Sequence, residues 1–208
     1  MKISTSVLSV VNDNLEEIFL KLDKTSTDYI HLDVIDGVFA PDKTDFLKYK
    51  ETLLKVSKPL DVHLMVNDVE TYIENYKVLN PDIITFHLEV TNEVDKYIKK
   101  VKTFSKVGIS IKPSTSVEEL APYLDKIDVV LVMCAEPGRG GQSFMDMTGK
   151  LKELNKLRNA NHYHYQIEVD CGINRETIKK VELADIVAVG SYITGAIDYE
   201  EQIRNLIN

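Results

Sequence analysis

The sequence has few cysteines and few basic residues, and each shortage argues against a class of protein. Cys134 and Cys171 are the only cysteines, and two are too few for a disulfide framework. We therefore expect a reducing compartment, the cytoplasm. Lys and Arg number 25 against 33 Asp and Glu, a net charge of −8, so we expect neither nucleic-acid nor membrane binding. No run of about 18 apolar residues is present, so no segment is expected to span a bilayer.

The composition is typical of one folded domain. Hydrophobic residues make up 44% of the chain and charged residues 28%, which is enough to bury a core. At about 150 residues per domain, this length suits one domain better than two. The chain contains no evident linker or low-complexity tract, so we expect a single domain over residues 1–208.

Short apolar runs rich in β-branched residues recur along the chain and are typical of strands. Segments with helical spacing, such as Leu15, Ile18 and Leu22, lie between most of them. Strands that alternate with helices pair in parallel, because each return crossover needs a helix. Eight such units predict an α/β fold, a single-domain (β/α)8 TIM barrel. An open doubly wound sheet is disfavoured because no Gly-rich turn follows the first run. The eight runs begin at Lys2, Asp28, Pro59, Asp82, Lys106, Asp128, Tyr165 and Asp185.

Polar side chains interrupt three of these runs near their carboxyl ends, where barrel enzymes carry their chemistry. His31 and Asp33 are two residues apart and therefore share a strand face. Glu168 and Asp170 share a face in the same way, and His63 adds a second imidazole. Two imidazoles, with carboxylates from two of the runs, predict a site for a divalent ion such as Zn²⁺, Fe²⁺ or Mn²⁺.

Strand histidines also have a plain structural alternative. A lone histidine in a strand is more often a hydrogen-bonded core residue than a ligand. For His87, which ends the fourth run, we predict such a structural or supporting role. Several polar residues at matching depth on three runs are harder to explain in this way, and they favour the metal site.

Glycine-rich segments follow the last three runs. EPGRGGQSF follows the sixth run and predicts a flap that moves over a substrate. CGIN and GSYITG follow the seventh and eighth runs, where such barrels usually bind phosphate. Turn formation alone is the alternative for each glycine. The residues concerned are Gly138, Gly140 and Gly141 in the flap, and Gly172, Gly190 and Ser191 at the phosphate site.

The combination of these segments resembles the ribulose-phosphate 3-epimerase family. The resemblance covers essentially the whole chain in order and rests on HLDVIDGVFAP, DVHLMV, ITFHLE, ISIKPST, VLVMCAEPGRGGQSF, IEVDCGI and AVGS. It implies a barrel of the ribulose-phosphate-binding type, an isomerase of the pentose phosphate pathway that converts D-ribulose 5-phosphate to D-xylulose 5-phosphate. It also implies one divalent metal ion (Zn²⁺, Fe²⁺, Mn²⁺ or Co²⁺), a small sugar phosphate as partner, and a homo-oligomer, either dimer or hexamer.

The resemblance also implies roles for particular residues. Asp33 and Asp170 would be the two acid/base catalysts, because inverting a carbon beside a carbonyl needs a proton removed from one face and returned to the other. The metal would stabilise the enediolate as a Lewis acid. The implied metal ligands are His31, Asp33, His63 and Asp170. The implied substrate contacts are Ser6, Met65, Met133, Gly138, Gly140 and Gly141, with Gly172, Gly190 and Ser191 at the phosphate.

Three residues depart from the family pattern near the expected site. Ile35 stands where the family usually has Met, Arg139 where the flap usually has an aromatic residue, and Cys171 where Gly usually follows the catalytic Asp. These departures leave open a 3-epimerase of a hexulose 6-phosphate such as allulose 6-phosphate, or a catalytically silent paralogue that binds phosphosugars. A decarboxylase on the same barrel is disfavoured, because Val34 and Ile35 follow Asp33 with no lysine.

Overall fold

A computed structural model describes residues 1–207; Asn208, the last residue of the predicted domain, lies outside the described residues. The strands are β1 Lys2–Ser6, β2 Tyr29–Ile35, β3 Leu60–Met65, β4 Ile83–His87, β5 Lys106–Ile111, β6 Val129–Met133, β7 Gln166–Asp170 and β8 Ile186–Val189. Each strand pairs in parallel with the next, and β8 pairs with β1, so the sheet closes. The predicted (β/α)8 TIM barrel is confirmed.

Helices connect the strands and follow the last one. The helix predicted from the spacing of Leu15, Ile18 and Leu22 is present. The connection between β5 and β6 carries a 3₁₀ helix in place of an α-helix; it contains Pro122, which cannot donate an α-helical hydrogen bond. Within residues 1–207 the α-helices are α1 Leu15–Leu22, α2 Lys50–Leu53, α3 Val69–Tyr76, α4 Val94–Val101, α5 Thr148–Asn161, α6 Ser191–Thr194 and α7 Tyr199–Ile207. The 3₁₀ helices are Leu8–Val10, Leu47–Tyr49, Lys77–Leu79, Leu88–Val90, Val117–Tyr123 and Thr177–Lys180.

The main apolar core includes outward-facing strand side chains and the helices around the barrel. Leu32 and Val34 of β2 belong to the same buried cluster as Phe19 of α1. A separate apolar layer comes from the first residues of alternate strands and fills the amino-terminal end of the barrel. Its members are Tyr29, Ile83, Val129 and Ile186.

Polar side chains occupy the barrel interior toward the carboxyl ends of the strands. The register places Asp33 beside His63 and Met133 beside Asp170, so groups from β2, β3, β6 and β7 meet at one depth. The barrel thereby collects side chains that are far apart in the chain. No helix within residues 1–207 combines the length and apolar character needed to cross a membrane.

Candidate active site

Four side chains from three strands converge at the carboxyl-terminal end of the barrel. They are His31 and Asp33 of β2, His63 of β3 and Asp170 of β7, and one ligand atom from each lies within 4.8 Å of those from the others. Nδ1 of His63 lies 3.2 Å from Oδ1 of Asp33 and 3.9 Å from Oδ2 of Asp170. Nε2 of His31 lies 3.3 Å from the same Asp33 oxygen. The structure therefore brings together all four residues that the resemblance named as ligands.

The buried carboxylate of Asp61 contacts His31 on the side of the ring away from the cluster. Nδ1–H of His31 donates to Oδ2 of Asp61 at 2.7 Å, and the hydroxyl of Ser4 donates to the same oxygen at 2.7 Å. Burial disfavours a charged imidazole, but the carboxylates of Asp61 and Asp33 hold the pKa of His31 well above its usual 6.5. The surroundings therefore favour positive charge at this position. Nε2 of His31 faces the cluster and has no hydrogen-bond partner among the described residues.

Glu168 lies deeper in the barrel than Asp170, with which it shares a strand face. Its Oε1 lies 3.8 Å from Nδ1 of His31, outside the four-residue cluster. Burial, together with the charge of Asp61, raises the pKa of Glu168 well above its usual 4.5. The protonated form of Glu168 is thus favoured, and Asp170 is the carboxyl group of β7 that reaches the cluster.

The pKa values of Asp33 and Asp170 are shifted in opposite directions although both side chains are buried. Burial favours the protonated form of Asp33, but the adjacent His31 and His63 outweigh it and hold the pKa of Asp33 far below its usual 3.8. Burial and the negative charge of Asp33 raise the pKa of Asp170 above 3.8. Two neighbouring carboxyl groups whose pKa values are driven apart can serve as base and acid.

His87, at the end of β4, supports His63 from the side away from the cluster. Its Nε2 lies 2.9 Å from Nε2 of His63, and its Nδ1 lies 3.1 Å from Oε2 of Glu89. Burial lowers the pKa of His87 from 6.5 to about 4, so the ring is neutral at pH 7. The side chain is fully buried and hydrogen-bonded, in keeping with the predicted supporting role.

A cleft of about 590 Å³ opens above the cluster, a size that suits a small phosphorylated sugar. Asp33 and Asp170 are among its lining residues, with Ser6, whose hydroxyl donates to Oδ2 of Asp33 at 2.7 Å. Sequence reasoning missed Ser9 and Lys180, which also line the cleft and lie in no recognisable motif. Other lining residues are Arg139, Gly140, Gly141, Phe144, Gly172, Asn174, Thr177, Gly190 and Ser191.

Two glycines allow the flap and the turn after β7 to approach their neighbours. Gly172 has φ +68°, and a Cβ there would lie 2.7 Å from backbone atoms of Phe144. Gly138 has φ +101° and packs against Ala40, with no room for a side chain. Gly138 therefore shapes the flap at a contact with the loop after β2, whereas Gly140 and Gly141 line the cleft.

The two methionines expected at the substrate are buried beside the cluster. Met65 packs with Ile35 and Ala40 in a small apolar group, and Met133 pairs in register with Asp170. Neither is among the described residues that line the cleft. Their contact with a substrate stays a prediction.

Comparison with known proteins gives a consistent family. A sequence model described as the Ribulose-phosphate 3 epimerase family matches residues 2–194. The chain belongs to this family. A ribulose-phosphate 3-epimerase of Escherichia coli strain K12 is 32% identical, over 98% of this chain and 93% of that protein. One from Buchnera aphidicola (subspecies Schizaphis graminum) is 33% identical, over 98% of this chain and 92% of that protein.

Solved structures of lower identity support the fold alone. A 3-hexulose-6-phosphate synthase from Salmonella typhimurium superposes with a TM-score of 0.71 at 19% identity, covering 99% of this chain and 96% of that chain. KGPDC from Streptococcus mutans gives a TM-score of 0.68 at 15% identity, covering 99% of this chain and 95% of that chain.

Two of the three residues that the resemblance marked as departures, Arg139 and Cys171, line the cleft, and Ile35 does not. Arg139 lines the cleft from the flap, and Ile35 fills the apolar group beside Met65. Cys171 has φ +82°, a conformation that favours glycine, and its amide donates to Oδ1 of Asp170 at 2.6 Å. The turn at Cys171 thus has a backbone conformation typical of glycine although the residue carries a side chain.

Proposed function

We propose that this chain interconverts D-ribulose 5-phosphate and D-xylulose 5-phosphate by proton transfer at C3, as a metal-dependent epimerase. The observation that carries the proposal is the buried pair Asp33 and Asp170, which shares one cluster and has pKa values driven in opposite directions. Membership of the ribulose-phosphate 3-epimerase family agrees with it.

The two carboxyl groups divide the proton transfers between them. Asp33, as a carboxylate, takes the C3 proton from one face of the ketose and leaves an enediolate. Asp170, as an acid, delivers its proton to the opposite face of C3. After turnover Asp33 is protonated and Asp170 is ionised, which is the state required for the reverse reaction. Ser6 holds Oδ2 of Asp33 through its hydroxyl and so orients this base.

The cluster fits one divalent metal ion. Nε2 of His31 has no partner in the described part of the chain, and the two imidazoles and two carboxylates form a donor set that suits Zn²⁺, Fe²⁺, Mn²⁺ or Co²⁺. His31, Asp33, His63 and Asp170 would hold the ion. When bound, it supplies a Lewis acid for the oxygens of the ketose and stabilises the charge of the enediolate.

The remaining predicted residues would position the sugar phosphate. Gly172, Gly190 and Ser191 are among the residues that line the cleft, as is Lys180, and they would receive the phosphate. Gly140 and Gly141 would close over the sugar, with Gly138 shaping the flap. Met65 and Met133 would keep the neighbourhood of C3 poor in water.

We further propose that the protein acts in the cytoplasm as a homo-oligomer, either dimer or hexamer. Free Cys134 and Cys171 agree with a reducing compartment. Ile197 is 97% exposed beside α1, where Lys21 donates to its carbonyl oxygen, so an apolar side chain is available there for a second copy. Light scattering of the purified protein measures the oligomeric state, and a monomer would contradict this part of the proposal.

Turnover of purified protein on defined ketose phosphates tests the function. We expect conversion of D-ribulose 5-phosphate with a higher kcat/KM than conversion of allulose 6-phosphate, and loss of activity in Asp33→Asn and Asp170→Asn. Asp95→Asn, a surface residue paired with Lys126 at 2.9 Å, is the matched control and should retain activity. Preference for the hexulose phosphate would favour that alternative, and a metal-free protein silent on both would leave only a phosphosugar-binding role.

A further inference from the structure

A chain of hydrogen-bonded side chains leads from the metal cluster to the loop after β4. Nδ1 of His63 faces Asp33, and its Nε2 lies 2.9 Å from Nε2 of His87. Nδ1 of His87 in turn lies 3.1 Å from Oε2 of Glu89. Each imidazole therefore bridges two partners, so the position of the proton on one ring depends on the next residue in the chain.

Glu89, at the end of this chain farthest from the cluster, accepts hydrogen bonds from two further groups. Its Oε1 accepts the backbone N–H of Lys112 at 2.7 Å and the hydroxyl of Thr115. Burial opposes ionisation, but these hydrogen bonds and that of His87 lower the pKa of Glu89 from 4.5 to about 2. A carboxylate can only accept, so Nδ1 of His87 must carry the proton that is donated to it.

The proton positions then follow along the chain. Two N–H groups cannot face each other at 2.9 Å, so Nε2 of His87 accepts and Nε2 of His63 donates. In the metal-loaded protein a bound ion would replace the direct contact of Nδ1 of His63 with Oδ1 of Asp33, and a His63 ring with its single proton on Nε2 keeps the lone pair of Nδ1 toward the cluster. We propose that Glu89, acting through His87, sets the tautomer of His63 and so presents Nδ1 to the metal ion. Glu89 is a positioning residue, and the inference rests on the metal site proposed above.

The surroundings keep water away from the two imidazoles of this chain. His63 and His87 are fully buried and stack with their ring centres 5.0 Å apart. Phe39 lies against His87 with a centre-to-centre distance of 4.7 Å, and the ammonium of Lys112 lies 4.2 Å from the Phe39 ring centre. Because both rings are fully buried and Glu89 is the acceptor within reach of Nδ1 of His87, the proton order of the two rings depends on Glu89.

Amide substitutions along the chain test the proposal. In Glu89→Gln, the amide oxygen faces the N–H of Lys112, so the NH₂ group faces His87 and reverses the donor order. In His87→Gln, the amide oxygen accepts directly from His63, and Glu89 no longer affects its tautomer. Glu93→Gln, the same change at an exposed residue paired with Lys96, is the control. For each variant we would measure Co²⁺ affinity by chelator competition and the absorption spectrum of bound Co²⁺.

We expect Glu89→Gln to weaken Co²⁺ binding by about 10–100-fold and to change the Co²⁺ spectrum. His87→Gln should retain affinity within about threefold, and adding Glu89→Gln to it should cost nothing further, which is the signature of coupling in a double-mutant cycle. The proposal is overturned if Glu89→Gln binds Co²⁺ as tightly as the unchanged protein, or loses the same factor in both backgrounds. A purely structural role for Glu89 predicts that second result.

Nitrogen NMR of the unchanged protein loaded with Zn²⁺ gives a test that does not depend on how the variants fold. The expected spectrum shows His87 protonated at Nδ1 and His63 at Nε2, and a proton on Nε2 of His87 would overturn the proposal. None of these measurements uses a sugar phosphate. A protein that binds the metal as described but does not epimerise would contradict the proposed function and leave this inference standing.

Discussion

Alanine substitution at three glycines tests the backbone of the flap and of the turn after β7, with a helix position for comparison. Gly172 has φ +68° and a prospective Cβ contact of 2.7 Å with the backbone of Phe144; Gly141 has φ +70° with nothing within 4 Å. Gly149 lies in α5 with open space around it. The first therefore combines strain with a clash, the second has strain alone, and the third has neither.

The expected changes in the free energy of unfolding follow from these differences. A left-handed conformation costs a residue with a Cβ about 1–2 kcal/mol, which is the whole expected loss for Gly141→Ala. Gly172→Ala adds overpacking, typically about 1–3 kcal/mol, for a total loss of about 2–5 kcal/mol. Gly149→Ala should stabilise the protein by about 0.5–1 kcal/mol, since alanine favours the helix.

Urea denaturation of the metal-free variants measures this order, and steady-state kinetics measures its consequence for the substrate. We expect Gly172→Ala to raise the KM for D-ribulose 5-phosphate at least about tenfold, because about 1.4 kcal/mol of lost binding corresponds to that factor. Gly149→Ala should leave the KM unchanged. A Gly172→Ala variant that is no less stable than Gly141→Ala and has an unchanged KM would refute the close packing of Gly172 against Phe144 of the flap.

Further predictions concern the carboxyl groups and the turn after β7. Asp33→Asn and Asp170→Asn should each lower kcat by at least about 10²-fold with the far-ultraviolet circular dichroism unchanged; a smaller loss in either would contradict the two-base assignment. Cys171→Gly should retain epimerase activity and relieve about 1–2 kcal/mol of strain at φ +82°, less the entropy cost of glycine; a loss of turnover would show that the thiol contributes to the site. The pKa of Glu89, lowered from 4.5 to about 2, predicts about 3 kcal/mol of stability that is present above pH 4.5 and lost as the pH falls toward 2. Acid titration of unfolding should therefore show a steeper loss than in Glu89→Gln, and parallel curves would contradict it.

Period-two spacing was sufficient to predict which residues share a face of β2. His31 and Asp33 both point into the barrel, as alternation requires. The same rule applied to β3 would have linked Asp61 to His63, since they are also two residues apart, and Asp61 contacts His31. Asp61 was not predicted because it lies near the amino end of β3, away from the carboxyl ends where barrel enzymes carry their chemistry.

Other features depend on contacts between strands and loops that no local pattern specifies. The pairing of His63 with His87 requires the register and the ring orientations of β3 and β4. The contact of Gly138 with Ala40 joins loops that are distant in the chain. Likewise, spacing did not distinguish a 3₁₀ from an α-helix between β5 and β6.

Deuterium incorporation at C3 tests the central chemical claim most directly. Purified protein would be incubated with D-ribulose 5-phosphate in deuterated water, and the xylulose 5-phosphate formed would be examined by proton NMR. We predict deuterium at C3 of the product, with loss of both exchange and product after treatment with a chelator and in Asp33→Asn or Asp170→Asn. Product that retains its original hydrogen at C3, or exchange that continues without both aspartates, would contradict the account.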